Sequence, residues 1–223
     1  MTTLRQAFLN ALDGVAYLVD GDGRILEVGE PAWSGSLRRY GAPSGGVRAI
    51  IGQCLFDAIH GAEVRCAYQA LHRAVLGGER PFVAFEMRCD APDVRRLLRM
   101  SITAPHEPLA PPAVLYQSQL LSAVSRPRVS LFDPQSIVEH VRLDAGLPIV
   151  RISSFFHRVA WPVQAPTGWT AAEDYYRLGG PADVRTRHGG CPDCADRVFQ
   201  RPDAGEALGT GRATPSGTTL DRP

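Results

Sequence analysis

Residues 81–119 alternate apolar and polar side chains with a period of two. Val83, Phe85, Met87 and Cys89 alternate with Ala84, Glu86, Arg88 and Asp90. In the next run Val94, Leu98, Met100 and Ile102 share one parity, interrupted only by Arg96, while Arg95, Leu97, Arg99, Ser101 and Thr103 take the other. Successive strand side chains point to opposite faces, so each run predicts a half-buried antiparallel strand. Cys89-Asp90-Ala91-Pro92-Asp93 between them has the composition of a hairpin turn. A third strand is predicted over 113–120, after the proline-rich loop 106–112. The apolar parity and the elements upstream predict a core containing Val19, Leu71, Phe85, Met87, Leu98, Met100 and Leu115, with Phe82 as further filling.

Upstream, Leu4, Phe8, Leu9 and Leu12 have the spacing of a short helix over 3–12 that can lie across a sheet. Strands over 15–20 and 24–28 flank the tight turn Asp20-Gly21-Asp22-Gly23. The same Asp-x-Asp-Gly string opens calcium loops, but Arg24, Ile25 and Leu26 stand where further oxygen ligands are needed, so a turn is expected. Residues 30–40 predict a short helix with Trp33 and Leu37 four apart, and 50–57 a short helical segment. Residues 61–76 form the best helical pattern: Val64, Tyr68, Leu71, Val75 and Leu76 mark one face and Gly77-Gly78 stops it. His72 falls off the centre of that stripe and is expected at the surface.

After Leu131 the pattern changes. A short helix over 133–140, a strand over 148–152, a helix over 171–178 ended by Gly179-Gly180, a link over 183–188 and a helical turn from Cys191 to Phe199 are predicted. Beyond Arg201 the chain is Gly-, Thr-, Pro-, Ala- and Asp-rich without periodicity, which predicts a disordered tail. The expected division is a domain over 1–131, a linker over 132–148, a small module over 149–200 and the tail over 201–223.

Composition narrows the classes. With 44% hydrophobic and 21% charged residues the chain can pack a core, and a net charge of +1 gives no broad electrostatic footprint for nucleic acid. No apolar run has the length of a membrane span, and no signal-peptide core precedes Asp13, so a cytosolic chain without membrane contact is expected. Five cysteines in that compartment do not make a disulfide framework. Cys54, Cys66 and Cys89 read as isolated small buried hydrophobes, whereas Cys191 and Cys194 form a pair.

Val19-Asp20-Gly21-Asp22-Gly23-Arg24-Ile25, then Ile51-Gly52-Gln53, then a helix and three strands, resembles a PAS domain over about residues 4–131. The resemblance implies an α+β fold, a five-stranded antiparallel sheet with helices on one face. It further implies a bacterial sensory or protein-interaction role in signal transduction: ligand or redox sensing, or dimerisation, passed on to an effector. No catalytic output is expected, because no kinase or cyclase fits after Leu131 and His140 lacks the Glu and Pro context of a phospho-accepting histidine. Self-association through the 3–12 helix or the outer sheet face, or a signalling partner, is expected, together with a small-molecule ligand in the pocket. The flavin-reactive string Asn-Cys-Arg-Phe-Leu-Gln is absent, since Cys54 is flanked by Gln53, Leu55 and Phe56. Haem needs an axial ligand in the pocket, and neither surface His72 nor His60 at the helix start fits that role.

Trp169, Glu173-Asp174-Tyr175-Tyr176-Arg177-Leu178-Gly179-Gly180 and the closing His188-Gly189-Gly190-Cys191-Pro192-Asp193-Cys194 resemble a small C-terminal module attached to many bacterial PAS sensors and response regulators. There a first cysteine pair precedes the Trp, and the two pairs have the logic of a zinc ribbon. Here Ser153 and Phe156 occupy the places of the first pair. The resemblance implies a zinc-ribbon-like appendage whose ligands would be Cys191, Cys194, His188 and His157, or else a vestigial metal-free module held by Phe155, Phe156, Trp161, Trp169 and Tyr176. A third reading takes Cys191 and Cys194 as a thiol-redox switch or a small thiol oxidoreductase, although the chain lacks the βαβ pattern of thioredoxin-like enzymes.

Overall fold

The computed structural model describes residues 3–40, 47–105, 112–133, 136, 146–161, 168–194 and 197–198. Helix α1 (Leu4–Ala11) starts at Thr3, whose side chain accepts from the Gln6 amide at 3.1 Å and so satisfies one of the open amides of the first turn. Strands β1 (Val15–Asp20) and β2 (Ile25–Val28), helices α2 (Glu30–Tyr40) and α3 (Ala62–Leu76), and strands β3 (Phe82–Arg88), β4 (Val94–Thr103) and β5 (Ala113–Ser125) follow. The five strands form one antiparallel sheet in the order β2-β1-β5-β4-β3. The sheet and its alternating strands agree with the sequence expectation.

The β1–β2 turn shows why Asp20-Gly21-Asp22-Gly23 is a turn. The Asp20 carboxylate accepts from the amides of Asp22 (3.0 Å) and Arg24 (2.8 Å). Gly23 has φ +83°, and a Cβ there would lie 2.4 Å from the Phe56 ring. Ile51-Gly52-Gln53 then closes the free edge of β2: the Ile25 amide donates to the Gln53 carbonyl at 3.0 Å and the Gly52 amide to the Ile25 carbonyl at 2.7 Å.

The inner face of the sheet carries Tyr17, Val19, Val83, Phe85, Met100, Ile102, Val114 and Tyr116 against Val64, Tyr68, Leu71 and Val75 of α3. These positions of α3 recur every three or four residues, the stripe a helix needs to lie on a sheet. Helix α2 and two 3-10 turns (Val47–Ala49 and Leu55–Ala58) cover the rest of this face. Helix α1 departs from the expectation of helices on one face. Its Leu9 packs with Ala16 and Leu18 on the opposite face. Leu115 belongs to that outer cluster, so the core expected from parity is corrected there: Val114 and Tyr116 point inward instead. Phe82 is likewise no core residue, being 60% exposed one step out of phase with Val83. Cys66, expected to be buried, is exposed on α3.

A second, four-stranded sheet has the order β8-β7-β6-β9, built from β6 (Ile149–Ser153), β7 (Arg158–Ala160), β8 (Trp169–Ala171) and β9 (Arg185–Gly189). β6 and β9 run parallel and the other pairs antiparallel. The helix expected over 171–178 is a run of turns, because Trp169–Ala171 is already taken up pairing with β7. The expected link 183–188 is mostly β9. The helix expected over 133–140 lies largely outside the described residues, and the tail 201–223 entirely so. Val129, Leu131 and Phe132 pack with Val150, Ile152 and Val159 of this sheet and with Tyr175 of the turns that follow β8. Phe155, in the β6–β7 turn, reaches the other way. It stacks on Tyr68 (5.7 Å, 15°) and meets Phe85 edge-on (5.6 Å, 75°), and its carbonyl accepts from the Arg88 amide at 2.6 Å.

Candidate functional site

A cavity of about 590 Å³ opens between the inner face of the sheet and α2. Its wall includes Tyr17, Met87, Leu98 and Met100, the Cys89 thiol and the guanidinium-bearing Arg96. Met87 and Leu98 are only partly buried and both face this space. A second cavity of about 210 Å³ shares Tyr17, Met87 and Met100 with the first and extends to Tyr68, His60, Ser154 and His188. The larger volume lies within the roughly 300–1,000 Å³ typical of small-molecule sites, and a mostly apolar wall with few polar groups is their usual chemistry. Burial pushes the Cys89 thiol up, with Arg96 opposing, so the thiol stays protonated in this wall. Burial likewise holds the Tyr17 and Tyr68 phenols protonated.

Beside the cavity lies a buried polar group that corrects the surface expectation for His72. His72 is 1% exposed. Its Nε2 lies 3.0 Å from the Asp20 carbonyl oxygen and its Nδ1 3.1 Å from the Tyr116 hydroxyl, and its ring stacks on Tyr116. One neutral tautomer satisfies both contacts: Nε2–H donates to Asp20, and the Tyr116 hydroxyl donates to Nδ1. Burial lowers the His72 pKa, the Asp20 carbonyl opposing, which keeps that neutral form. The signal was in the sequence: His72 stands four residues after Tyr68 and three before Val75, on the buried stripe.

The four expected metal ligands do not converge. Cys191 Sγ and Cys194 Sγ lie 3.3 Å apart, and Ser153 Oγ is 3.2 Å from Cys194 Sγ. His188 Nδ1 faces Ser154 Oγ at 3.4 Å and its ring stacks on His60. His157, at φ +50°, is engaged with other partners: its Nδ1 accepts from the Asp90 amide at 3.3 Å and its ring stacks on Phe132. Among the described residues no group of three or more His, Cys, Asp or Glu side chains is placed to hold a metal ion. A closed zinc site needs four ligands around one centre, so this donor set does not fit a zinc ribbon. Ser153 does reach the thiol pair, through Cys194 Sγ. The pair is unequal: the Cys194 thiol bonded to Cys191 lowers the Cys191 pKa to about 6, burial opposing, while Cys194 retains its proton. His188 is pushed down to about 4, by burial first and then by the nearby His157 and His60.

Sequence reasoning missed a buried charge cluster. The Asp90 carboxylate is fully buried and pairs with Arg88 and with Arg126 (3.0 Å), while Glu173 bridges the same two guanidiniums at 3.1 and 2.7 Å. Arg126 also lies over the Phe132 ring. Burial alone would raise the Asp90 pKa; the adjoining His157 ring and Arg88 guanidinium outweigh it and hold the carboxyl well below its ordinary range. The cluster joins the β3–β4 turn to the second sheet.

No family model and no curated protein matches this chain. Several solved structures are similar in part. The PAS domain of BvgS from Bordetella pertussis is 11% identical, with 53% of this chain and 84% of that one covered and a TM-score of 0.41. The Drosophila melanogaster Cycle PAS-B domain with bound ethylene glycol is 16% identical, covering 48% of this chain and 99% of that one at a TM-score of 0.33. A domain of an HTR-like protein from Haloarcula marismortui is 16% identical, covering 48% and 97% at a TM-score of 0.32.

Proposed function

We propose that this chain is a PAS-type sensory and protein-interaction module of bacterial signal transduction. It works in the cytosol, has no catalytic output of its own, and holds a small molecule between its first sheet and α2. The observation that carries this reading is the apolar cavity of about 590 Å³ on the inner sheet face, with Arg96 in an otherwise mainly apolar wall. That chemistry suits a largely apolar ligand carrying one hydrogen-bonding or anionic end. The β6–β7 turn and β9 supply Ser154 and His188 to the adjoining cavity, so ligand occupancy is felt by the module that a partner would read. The exposed side of α1, with Leu4 and Phe8 at 88% and 57% exposure, is the surface proposed for self-association. Among the described residues no helix is long and apolar enough to cross a membrane.

Titration with anilinonaphthalene sulfonate, an apolar ring system with one anionic group, tests the pocket. One equivalent should bind with a rise in fluorescence. Leu98→Trp, which fills the cavity, should abolish that rise while the far-ultraviolet circular dichroism stays unchanged. Binding that survives Leu98→Trp undiminished would remove the cavity from the account.

A further inference from the structure

Cys191 and Cys194 sit three residues apart in one helical turn (Pro192–Cys194), closed by the Cys194 amide donating to the Cys191 carbonyl at 2.9 Å. On a helix that spacing separates the Cα atoms by about 5 Å, within the roughly 4.4–6.8 Å that a disulfide spans. The sulfurs are already 3.3 Å apart, and an approach of a little over 1 Å reaches the S–S bond length of about 2.05 Å. Both residues are nearly closed off, at 5% and 1% exposure, so only a small reagent reaches them without unfolding. Polar neighbours at the pair are the Ser153 hydroxyl at 3.2 Å and the Cys191 amide at 3.3 Å, both on Cys194 Sγ. Cys54, Cys66 and Cys89 lie on separate elements.

We propose that Cys191 and Cys194 are a redox-active dithiol that closes to an intramolecular disulfide on reaction with hydrogen peroxide. The Cys191 sulfur attacks one peroxide oxygen and the O–O bond breaks. Cys191 becomes a sulfenic acid, and the leaving hydroxide takes up the proton of the Cys191 thiol as water. The Cys194 sulfur then displaces hydroxide from Cys191, forming the S–S bond, and the Cys194 proton completes a second water. Two thiols and one peroxide thus give one disulfide and two waters, the sulfurs supplying the two electrons. A dithiol reductant reverses the reaction by exchange. The loop entering Cys191 also holds the start of α3: the Gly190 amide donates to Glu63 at 3.2 Å, and a Cβ on Gly61 would lie 2.8 Å from the His188 carbonyl oxygen. Val64 and Tyr68 of α3 line the smaller cavity. Drawing Cys191 towards Cys194 pulls on that loop, so oxidation reaches a cavity wall. This inference does not depend on the cavity binding a ligand.

The test uses the full chain, reduced, freed of reductant and treated with a slight excess of peroxide, then read by intact and peptide mass spectrometry. The expected product has lost two hydrogens, about 2 Da, mapped to a Cys191–Cys194 link. Dithiothreitol should restore the mass, and Cys191→Ser or Cys194→Ser should abolish the product. Cys194→Ser should instead leave a sulfenic acid at Cys191 that dimedone traps when the peroxide-treated chain is unfolded in its presence. Amide exchange at residues 61–64 should change between the reduced and oxidised wild-type chains. Two free thiols at the pair under conditions that oxidise exposed Cys66, or a disulfide mapped to other cysteines, would overturn the proposal. So would stoichiometric zinc held by the pair with its thiols unreactive.

Discussion

Replacing Phe155 by alanine removes the fully buried side chain of the β6–β7 turn from the core of the first sheet, where its neighbour Phe156 is only partly buried. The ring is 1% exposed and lies between Tyr68 and Phe85. Phe→Ala in a packed core costs about 3–5 kcal/mol, and each aromatic pair adds about 0.5–1.5 kcal/mol to simple burial. Two such pairs place Phe155→Ala near 4 kcal/mol, a large share of the roughly 5–15 kcal/mol that stabilises a typical fold. With a urea slope of about 2 kcal/mol per molar, the unfolding midpoint should fall by about 2 M. The assay is urea unfolding followed by far-ultraviolet circular dichroism and by tryptophan fluorescence. Trp33 reports on the first sheet, Trp161 on the second, and Trp169, a β8 residue packed against the first core, on the junction. Phe82→Ala, on β3 beside the Phe85 that Phe155 meets, is the control, with an expected change within about 0.5 kcal/mol for an exposed side chain. A loss below about 1 kcal/mol for Phe155→Ala would refute the reasoning, because the second sheet would then not be anchored through this ring.

Asp90→Ala leaves Arg88 and Arg126 without their buried carboxylate and should cost about 3–5 kcal/mol in thermal or urea unfolding; a loss under about 1 kcal/mol would show the cluster to be solvated. His72, His157 and His188 all have folded pKa values below the ordinary histidine value. The unfolded chain therefore binds more protons below about pH 6.5, and stability is full above that pH and falls as pH drops towards the folded values. For His188, whose folded value is about 4, going from pH 7 to pH 5 should cost about 2 kcal/mol. Unchanged stability over that interval would contradict the burial of these rings. Phe8→Asp should convert a self-associated chain to monomer in sedimentation without loss of stability, whereas Leu9 belongs to the chain's own core; equal masses for Phe8→Asp and wild type would take α1 out of the interface.

The strands of the first sheet were legible because Val83, Phe85, Met100 and Ile102 obey a simple parity over long runs. What parity cannot decide is which face is inner where both faces are covered. Leu115 and Tyr116 are both apolar and sit back to back on β5, one under α1 and the other under α3. Arg96 kept the inner parity of β4, and its apparent break in the pattern marks a polar group in the cavity wall. The second sheet was hard to read because its strands run three to five residues, too short to show a period. Its parallel pair joins residues far apart in sequence, as in Ile152 with His188. The Asp90 cluster was invisible for the same reason: Arg126 is 36 residues from Asp90, and Glu173 is 85 from Arg88. Of the expected zinc ligands, Cys191 and Cys194 lie together with Ser153 beside them, whereas the direction of His157 is set by Asp90 and Phe132.

The chain has three methionines, Met1, Met87 and Met100, and the latter two stand in the walls of both cavities. A methyl-labelled methionine spectrum therefore carries two reporters inside the proposed site and one at the chain start. Addition of anilinonaphthalene sulfonate to one equivalent should shift the Met87 and Met100 methyl resonances. At saturation of the bound probe, unmoved Met87 and Met100 methyls would contradict the claim that this sheet face holds a small molecule.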